Sequence, residues 1–258
     1  MKIIISPAKS IAIQELNSSL EPTSGIFLDE AERLAKKLKA FSARKIAKMM
    51  SVNNEIAELN HYRYQNWVRP EIGTEKEVEE IRPAIAQFTG EVYRGLDAKS
   101  MNDEVMKRTQ ESLRILSGMY GLLRPMDLMF PYRLEMGTRW AVTPKMKNLY
   151  LFWGSKLAEQ LNTEMEEGED LINLASSEYF KAIDQKKLKA RMITPVFKEF
   201  KNGEYKVLMT YAKNARGRMA RYIIDKGIND SEQIKGFDWD RYSFDDKMST
   251  ETEWVFVR

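Results

Sequence analysis

Short apolar runs of strand type alternate along this chain with segments of helical periodicity, and this alternation limits the fold to mixed classes of α and β structure. Residues 2–5 are typical of a buried strand. Residues 192–200 and 204–211 are predicted to pair as a hairpin, because Asn202-Gly203 between them is a strong turn signal. No linker, repeat or low-complexity stretch divides the sequence. We therefore predict an α+β (mixed α/β) fold in a single compact domain that spans residues 1–258.

The other elements follow from the same periodicities. The helix at 28–41 is the best supported, because Asp29 and Glu30 precede its lysines in the order that the helix dipole favours. Further helices are predicted at 43–50, 53–67, 74–87, 102–116, 145–165 and 212–226. Further extended segments are predicted at 90–96, 133–142 and 171–175 and within the tail at 237–258.

Cysteine is absent and His61 is the only histidine, so several kinds of site are excluded. Disulfides, thiolate metal sites and cysteine nucleophiles cannot form, and a histidine-rich metal site is impossible. No carboxylate spacing is diagnostic of magnesium, so we expect no metal and no cofactor. The fold must rest on packing, for which a hydrophobic content of 43% is ample. The lack of an apolar run of membrane-spanning length predicts a cytoplasmic protein.

Positive charge is concentrated in two parts of the chain although the net charge is only +3. Residues 181–221 hold 12 Lys/Arg against three acidic residues, which gives +9 there and −6 over the rest. A second basic run at 33–48 holds seven Lys/Arg and no acid, whereas 164–170 and the tail after Asp225 are acidic. Such asymmetry indicates a partner that bears phosphates, although charge runs are commonly just solvated faces.

The predicted helix at 212–226 has one apolar and one cationic face. Its apolar positions are Ala212, Ala215, Met219, Tyr222 and Ile223. Its cationic positions are Lys213, Arg216, Arg218 and Arg221. Arginine engages phosphate bidentately, so the cationic face is a candidate DNA contact. The alternative is an amphipathic surface helix whose arginines pair with the acidic tail.

The segment 116–121, LSGMYG, lies between a predicted helix and an apolar stretch. Two helices joined by a glycine-containing hairpin are typical of the helix-hairpin-helix motif, in which backbone N–H groups meet DNA phosphates without reading sequence. Two residues separate Gly118 from Gly121, where the motif usually has one, and Pro125 would have to begin the second helix. A helix end followed by a plain turn explains the glycines equally well.

Polar residues follow the predicted strands, at positions where α/β proteins place binding groups. They are Ser6, Lys9, Arg124, Asp127, Tyr132, Arg133, Glu135, Asn173, Ser176, Glu178, Tyr179 and Lys181. Glu135 and Glu178 are a possible magnesium-binding pair. The alternative is that all of these residues form buried ion pairs and caps.

Five segments in order closely resemble those of the YaaA peroxide-stress family and span nearly the whole chain. They are ISPAKS (5–10), LSGMYGLLRPMDLMFPYRLEMG (116–137), LYLFWG (149–154), INLASSEYFKAI (172–183) and YAKNARGRMARYII (211–224). Ser10 replaces the threonine of the usual family start. The resemblance implies a mixed sheet surrounded by helices, the cantaloupe-type fold, and DNA binding in the oxidative-stress response and recombinational repair. It also implies a positively charged cleft with a helix-hairpin-helix element.

The resemblance and the basic helix together assign DNA binding to ten residues. These are Lys9, Gly118, Gly121, Arg124, Arg133, Lys181, Lys213, Arg216, Arg218 and Arg221. The expected partners are double-stranded and branched DNA, held by their phosphates irrespective of sequence, and no catalytic residue is implied. The alternative is an enzyme that acts on nucleic acid or a phosphorylated small molecule through a polar pocket around Lys9, Glu135 and Glu178. Direct iron binding fits poorly, since only oxygen ligands are plentiful.

Overall fold

The structure is a computed structural model that describes all 258 residues. Its strands are β1 (Lys2–Ile5), β2 (Arg82–Pro83), β3 (Leu113–Ser117), β4 (Gly121–Leu123), β5 (Leu128–Met129), β6 (Leu171–Leu174), β7 (Met192–Lys201), β8 (Glu204–Lys206), β9 (Ser243–Asp245) and β10 (Glu253–Val257). Its α-helices are α1 (Leu28–Lys39), α2 (Ala43–Met50), α3 (Asn54–Gln65), α4 (Glu91–Leu96), α5 (Asp103–Ser112), α6 (Leu149–Trp153), α7 (Lys156–Glu164), α8 (Ser177–Phe180) and α9 (Met209–Lys226).

An eight-stranded mixed sheet organises the molecule in the order β4-β3-β1-β6-β7-β10-β9, with β8 paired to β7. The five strands from β3 to β10 in this order run parallel, and the edge strands β4 and β9 are antiparallel. After β1 the chain continues on the β3 side of the sheet, whereas after β6 it continues on the opposite side, into β7. The connections therefore diverge between the neighbouring strands β1 and β6. A crevice forms outside the carboxyl ends of strands at such a switch point. The fold therefore places a site beyond Ile5 and Leu174, which are register partners.

The predicted mixed sheet flanked by helices is confirmed, as are its most strongly patterned elements. Strand β1 is paired on both sides, and its three isoleucines are fully buried. The hairpin of β7 and β8 turns at Asn202 and Gly203, whose φ values of 55° and 84° are those that this turn requires. Strand β8 ends at Lys206, however, and Met209 to Tyr211 open the first turn of α9.

Several predicted elements are wrong, and tertiary pairing explains the most important one. The helix predicted at 102–116 ends at Ser112, after which Leu113–Ser117 forms β3 against β1. Burial of all five residues of β3 in a parallel sheet outweighs the continuing helical pattern. The predicted strand at 90–96 is helix α4. The predicted helix at 145–165 is divided into α6 and α7 by Gly154, which has a φ of 53°. Residues 74–87 form only short 3₁₀ turns and β2, and no strand forms at 133–142.

The helix-hairpin-helix prediction is wrong as a result. Gly118 and Gly121 belong to a turn that joins β3 to the antiparallel strand β4, and no helix adjoins this turn on either side. Met119 and Tyr120, at the tip of the turn, are 0% and 1% exposed. The sequence between the glycines is thus part of the core, because two large apolar side chains there are covered on all sides.

Helix α9 packs on the sheet and crosses α4 at very short range. Gly95 and Gly217 lie at the crossing, where a Cβ atom on Gly217 would stand 1.9 Å from the carbonyl oxygen of Val92. The two backbones therefore touch directly. No helix in the structure combines the length and the apolar character that crossing a membrane requires.

Candidate functional site

A groove with a volume of about 1330 Å³ lies between the end of α1, helix α2 and the loop at 137–142. One contact joins two of its walls, and a second fixes the start of α2. The rings of Phe41 and Trp140 meet edge to face at 5.9 Å, and the Ser42 side chain caps α2 by accepting a hydrogen bond from the Lys45 backbone N–H. Ile46 and Met50 of α2 are buried, whereas Lys45 and Lys48 of the same helix are exposed and line the groove.

The groove has a cationic wall. Its basic residues are Lys36, Lys37, Lys45, Lys48 and Arg139, all of which are exposed. Among them only Lys36 forms an ion pair, with Glu32 at 2.9 Å. The Lys45 ammonium lies 3.4 Å from the centre of the Phe41 ring, which holds the charge at the groove without neutralising it.

Two carboxylates mark the end of the groove that adjoins the sheet. Glu135 Oε1 lies 3.2 Å from Lys9 Nζ and 2.8 Å from an Arg133 nitrogen. Glu178 Oε1 accepts a hydrogen bond from the Gly137 N–H at 2.9 Å. The glutamates are thus held by neighbouring donors, and the cations of the opposite wall keep their charge for a ligand.

Polar groups that follow β1 and β6 meet at the switch point between these two strands. The Ser176 N–H donates to Ser6 Oγ at 2.8 Å, and the Tyr93 hydroxyl donates to the Ser6 carbonyl at 3.1 Å. Lys9 and Glu178 follow within three residues of these serines, so the sequence-predicted residues after the two strands do converge. We call the end of the groove that contains the Lys9–Glu135 pair and Glu178 its polar end.

Buried tyrosines form the inner side of this polar end. Burial raises the pKa of Tyr179, and the neighbouring Tyr132 and Glu178 raise it further. Burial likewise raises the pKa of Tyr132, whose hydroxyl lies 2.6 Å from Ser117 Oγ. These hydroxyls therefore stay protonated near neutral pH and act as neutral hydrogen-bonding groups.

The glycines predicted to meet phosphate are enclosed. A Cβ atom on Gly118 would lie 2.2 Å from the Leu134 carbonyl oxygen, and one on Gly121 would lie 2.6 Å from the Trp153 ring. Both glycines allow close packing instead. Both residues are buried, so their backbone has no exposed face in this structure for a phosphate.

Three of the predicted DNA-binding arginines are engaged by their own chain. Arg124 pairs with the buried Asp127 at 2.9 Å, and Arg218 pairs with Asp240 at 3.2 Å. Arg221 pairs with Asp225 at 2.8 Å and also donates to the carbonyls at the end of α4. The Arg218 pair is the one that the alternative prediction described, in which the basic helix binds the acidic tail.

Of the other five cations in the predicted set, three form no ion pair and two share one carboxylate. Lys181 and Lys213 are exposed and form no ion pair. Arg216 lies on the packing side of α9, where burial lowers its pKa and no carboxylate lies within ion-pair distance. Lys9 and Arg133 share Glu135 at the end of the groove. The prediction missed the wall residues, whose only signal was the basic run at 33–48.

Comparison with known proteins identifies the family. A family model described as "Peroxide stress protein YaaA" matches residues 1–248. A UPF0246 protein of Saccharophagus degradans is 44% identical over 260 residues, which cover 100% of this chain and 99% of the relative. A UPF0246 protein of Aliivibrio fischeri is 45% identical, over 100% of this chain and 98% of the relative. The chain therefore belongs to the YaaA family of peroxide stress proteins.

Proposed function

We propose that this chain is a cytoplasmic, sequence-independent DNA-binding protein that acts in the response to peroxide stress and in DNA repair. The description of its family supports the link to peroxide stress. Its partners on this proposal are double-stranded and branched DNA, whose phosphates lie along the wide groove. The lack of cysteine suits a reducing compartment.

The observation that carries the proposal is the set of unpaired cations that line the groove. Lys37, Lys45, Lys48 and Arg139 have no carboxylate within ion-pair distance. Keeping like charges together is unfavourable without a counter-charge, and a row of phosphates supplies one while releasing bound counterions. Contacts from these cations to phosphates carry no sequence information, so on this proposal DNA shape should govern binding.

Salt dependence of binding tests the proposal. We expect affinity for duplexes of two unrelated sequences to be equal within about twofold and to fall steeply with salt. Replacing Lys45 and Lys48 by alanine should reduce the slope of log K against log salt by about 1.8, because each phosphate contact contributes about 0.9. At 0.15 M salt the same loss corresponds to binding weakened by roughly 30-fold.

A matched double variant controls for the loss of net charge. Lys107 and Lys247 are exposed lysines without ion pairs that lie outside the groove. Their replacement by alanine should leave the salt slope unchanged. Equal effects of the two double variants, or affinity that does not respond to salt, would refute binding at this groove.

An enzyme that acts on nucleic acid or a phosphorylated small molecule is the second candidate. It is favoured by the convergence of Lys9, Glu135 and Glu178 at one end of the groove. Incubation with nicked, oxidised and branched DNA and magnesium should then yield a product. Glu178→Gln should abolish that product without weakening DNA binding, whereas a panel without any product rejects this candidate.

A further inference from the structure

A second cleft lies at the same edge of the sheet, where the hairpin of β7 and β8 projects beyond the other strands. Its volume is about 710 Å³, and it is formed between the hairpin base and the first turn of α9. Phe200 and Tyr211 line it with side chains that are 61% and 51% exposed. Two exposed aromatic rings that line one cleft form a contiguous apolar surface, which indicates a binding site more strongly than a single exposed ring does.

The cleft is also cationic. Its charged side chains are Lys201, Arg241, Arg258 and Glu199, which together sum to +2. Glu199 is already bound, since it accepts from Arg258 at 2.7 Å and from the Tyr242 hydroxyl. Lys201 and Arg241 have no carboxylate within ion-pair distance. Two cations and two open ring faces thus remain available at one place.

The aromatic faces are held in position before any ligand arrives. The Phe200 N–H donates to the Arg258 carbonyl at 2.8 Å, and the Phe200 ring packs edge to face on Tyr205 at 5.2 Å. The Arg258 guanidinium lies 5.1 Å from the centre of the Tyr211 ring and so supports it. Positions fixed in this way reduce the entropy that binding would otherwise cost.

We propose that this cleft binds an unpaired base of single-stranded nucleic acid, which stacks on Phe200 and Tyr211 while Lys201 and Arg241 contact the adjoining phosphates. Every base has a π face, so such a site tolerates any sequence. A duplex cannot use it, because its bases already stack on one another. An apolar protein partner fits less well, because burying Lys201 and Arg241 without counter-charges is costly. The inference deepens the proposed function and rests on it for the kind of ligand.

Stacking can be measured directly with an oligothymidylate that carries one central 2-aminopurine, whose fluorescence is quenched when it stacks. We expect the wild-type chain to bind this single strand and to quench it. The double variant Phe200→Ala/Tyr211→Ala should bind it about 10- to 100-fold more weakly and without quenching, since base–aromatic stacking contributes that much per base. Its affinity for a duplex of the same length should not change.

Tyr62→Ala is the matched control, because Tyr62 is 58% exposed on α3 and lies outside the cleft. It should behave as wild type towards both ligands. An oligomer with an abasic position in place of the fluorescent base provides a test that needs no variant, and wild type should bind it more weakly.

The outcomes separate this inference from the proposed function. If the Phe200/Tyr211 variant still quenches and binds the single strand like wild type, the base site is refuted, and duplex binding at the Lys45/Lys48 wall is unaffected by that result. If duplex binding does not depend on Lys45 and Lys48 but quenching is lost with Phe200 and Tyr211, the base site stands and the proposed groove is refuted. If wild type binds no single strand even at low salt, the base site is refuted.

Discussion

Replacing Gly217 by alanine tests the packing of α4 against α9, because helix propensity and this packing predict changes of opposite sign in the free energy of unfolding. Gly217 lies in the middle of an 18-residue helix, where alanine is ordinarily favoured over glycine by about 1 kcal/mol. In this structure the added Cβ would stand 1.9 Å from the Val92 carbonyl oxygen and 2.8 Å from the Leu96 nitrogen. Both atoms belong to the backbone of α4 and cannot turn aside as a side chain would.

The geometry sets the size of the effect. A separation of at least about 3.0 Å is needed, so the helices must move apart by about 1 Å at the crossing. Overpacking of this kind costs about 1–3 kcal/mol, and a clash with backbone belongs at the upper end of that range. After the gain of about 1 kcal/mol from helix propensity, we expect a net loss of about 2 kcal/mol. For a chain of this size that lowers Tm by about 4–8 °C.

Thermal unfolding followed by circular dichroism measures the difference, and Gly236→Ala is the matched control. The nearest atom to a Cβ on Gly236 is the Tyr222 hydroxyl oxygen at 3.4 Å, so this substitution should change stability by less than about 0.5 kcal/mol. A Tm for Gly217→Ala equal to or above that of wild type would refute the reasoning, since helix propensity would then outweigh the contact.

A double variant sharpens the test. A Cβ on Gly95 would lie 2.2 Å from the Asn214 carbonyl oxygen, on the opposite side of the same crossing. Once one alanine has moved the helices apart, the second meets a smaller clash. The losses of Gly95→Ala and Gly217→Ala should therefore sum to more than the loss of the double variant, and strictly additive losses would show that the two sites do not share one contact.

Two further predictions concern ion pairs. Arg124→Met should destabilise the fold by about 3 kcal/mol at neutral pH, because it leaves the buried Asp127 carboxylate without its charged partner. Burial already raises the pKa of Asp127, so its charged form is unfavourable in the folded state. Adding Asp127→Asn should therefore recover part of the lost stability, as measured by chemical unfolding. Hydrogen bonds from Arg191 lower the pKa of Asp170 below its usual 3.8. The ionised Asp170 therefore stabilises the fold above pH 3.8, and this stabilisation is lost as the pH falls through the lowered pKa. Asp170→Asn should therefore lower Tm at neutral pH and flatten its decline in acid, and a decline as steep as that of wild type would contradict this assignment.

The elements that could be predicted from sequence are those in which local and tertiary preferences agree. Strand β1 is an apolar run buried on both faces, and the Asn202-Gly203 turn has the backbone angles that its residues favour. Helix α9 has its predicted apolar positions Ala212, Ala215 and Met219 in the core. In each case the side chains that define the pattern are also the ones that make the contacts.

The elements that could not be predicted are those decided by distant partners. Leu113 to Ser117 continue the pattern of α5, and only the edge of β1 converts them to a strand. Helix α4 is short and begins after Gly90, which has a φ of 115°. The spacing of apolar residues does not reveal such a backbone angle, so it could not indicate where the helix begins. Helix α4 is stabilised by its crossing with α9. This crossing requires Gly95 and Gly217, which are 122 positions apart in the sequence.

On the proposed function, charge density along the sequence is a weaker guide to the binding surface than charge that lacks an internal partner. The most basic segment, 181–221, contains Arg218 and Arg221, but both serve the fold by pairing with Asp240 and Asp225. The charge of an arginine engaged in this way is already balanced by a carboxylate, so its attraction for a phosphate is weaker than that of an unpaired cation. The run at 33–48 is shorter, yet four of its lysines line the groove and three of those form no ion pair. Because long-range pairing decides which cations stay available, the wall of the groove emerges only once the chain is folded.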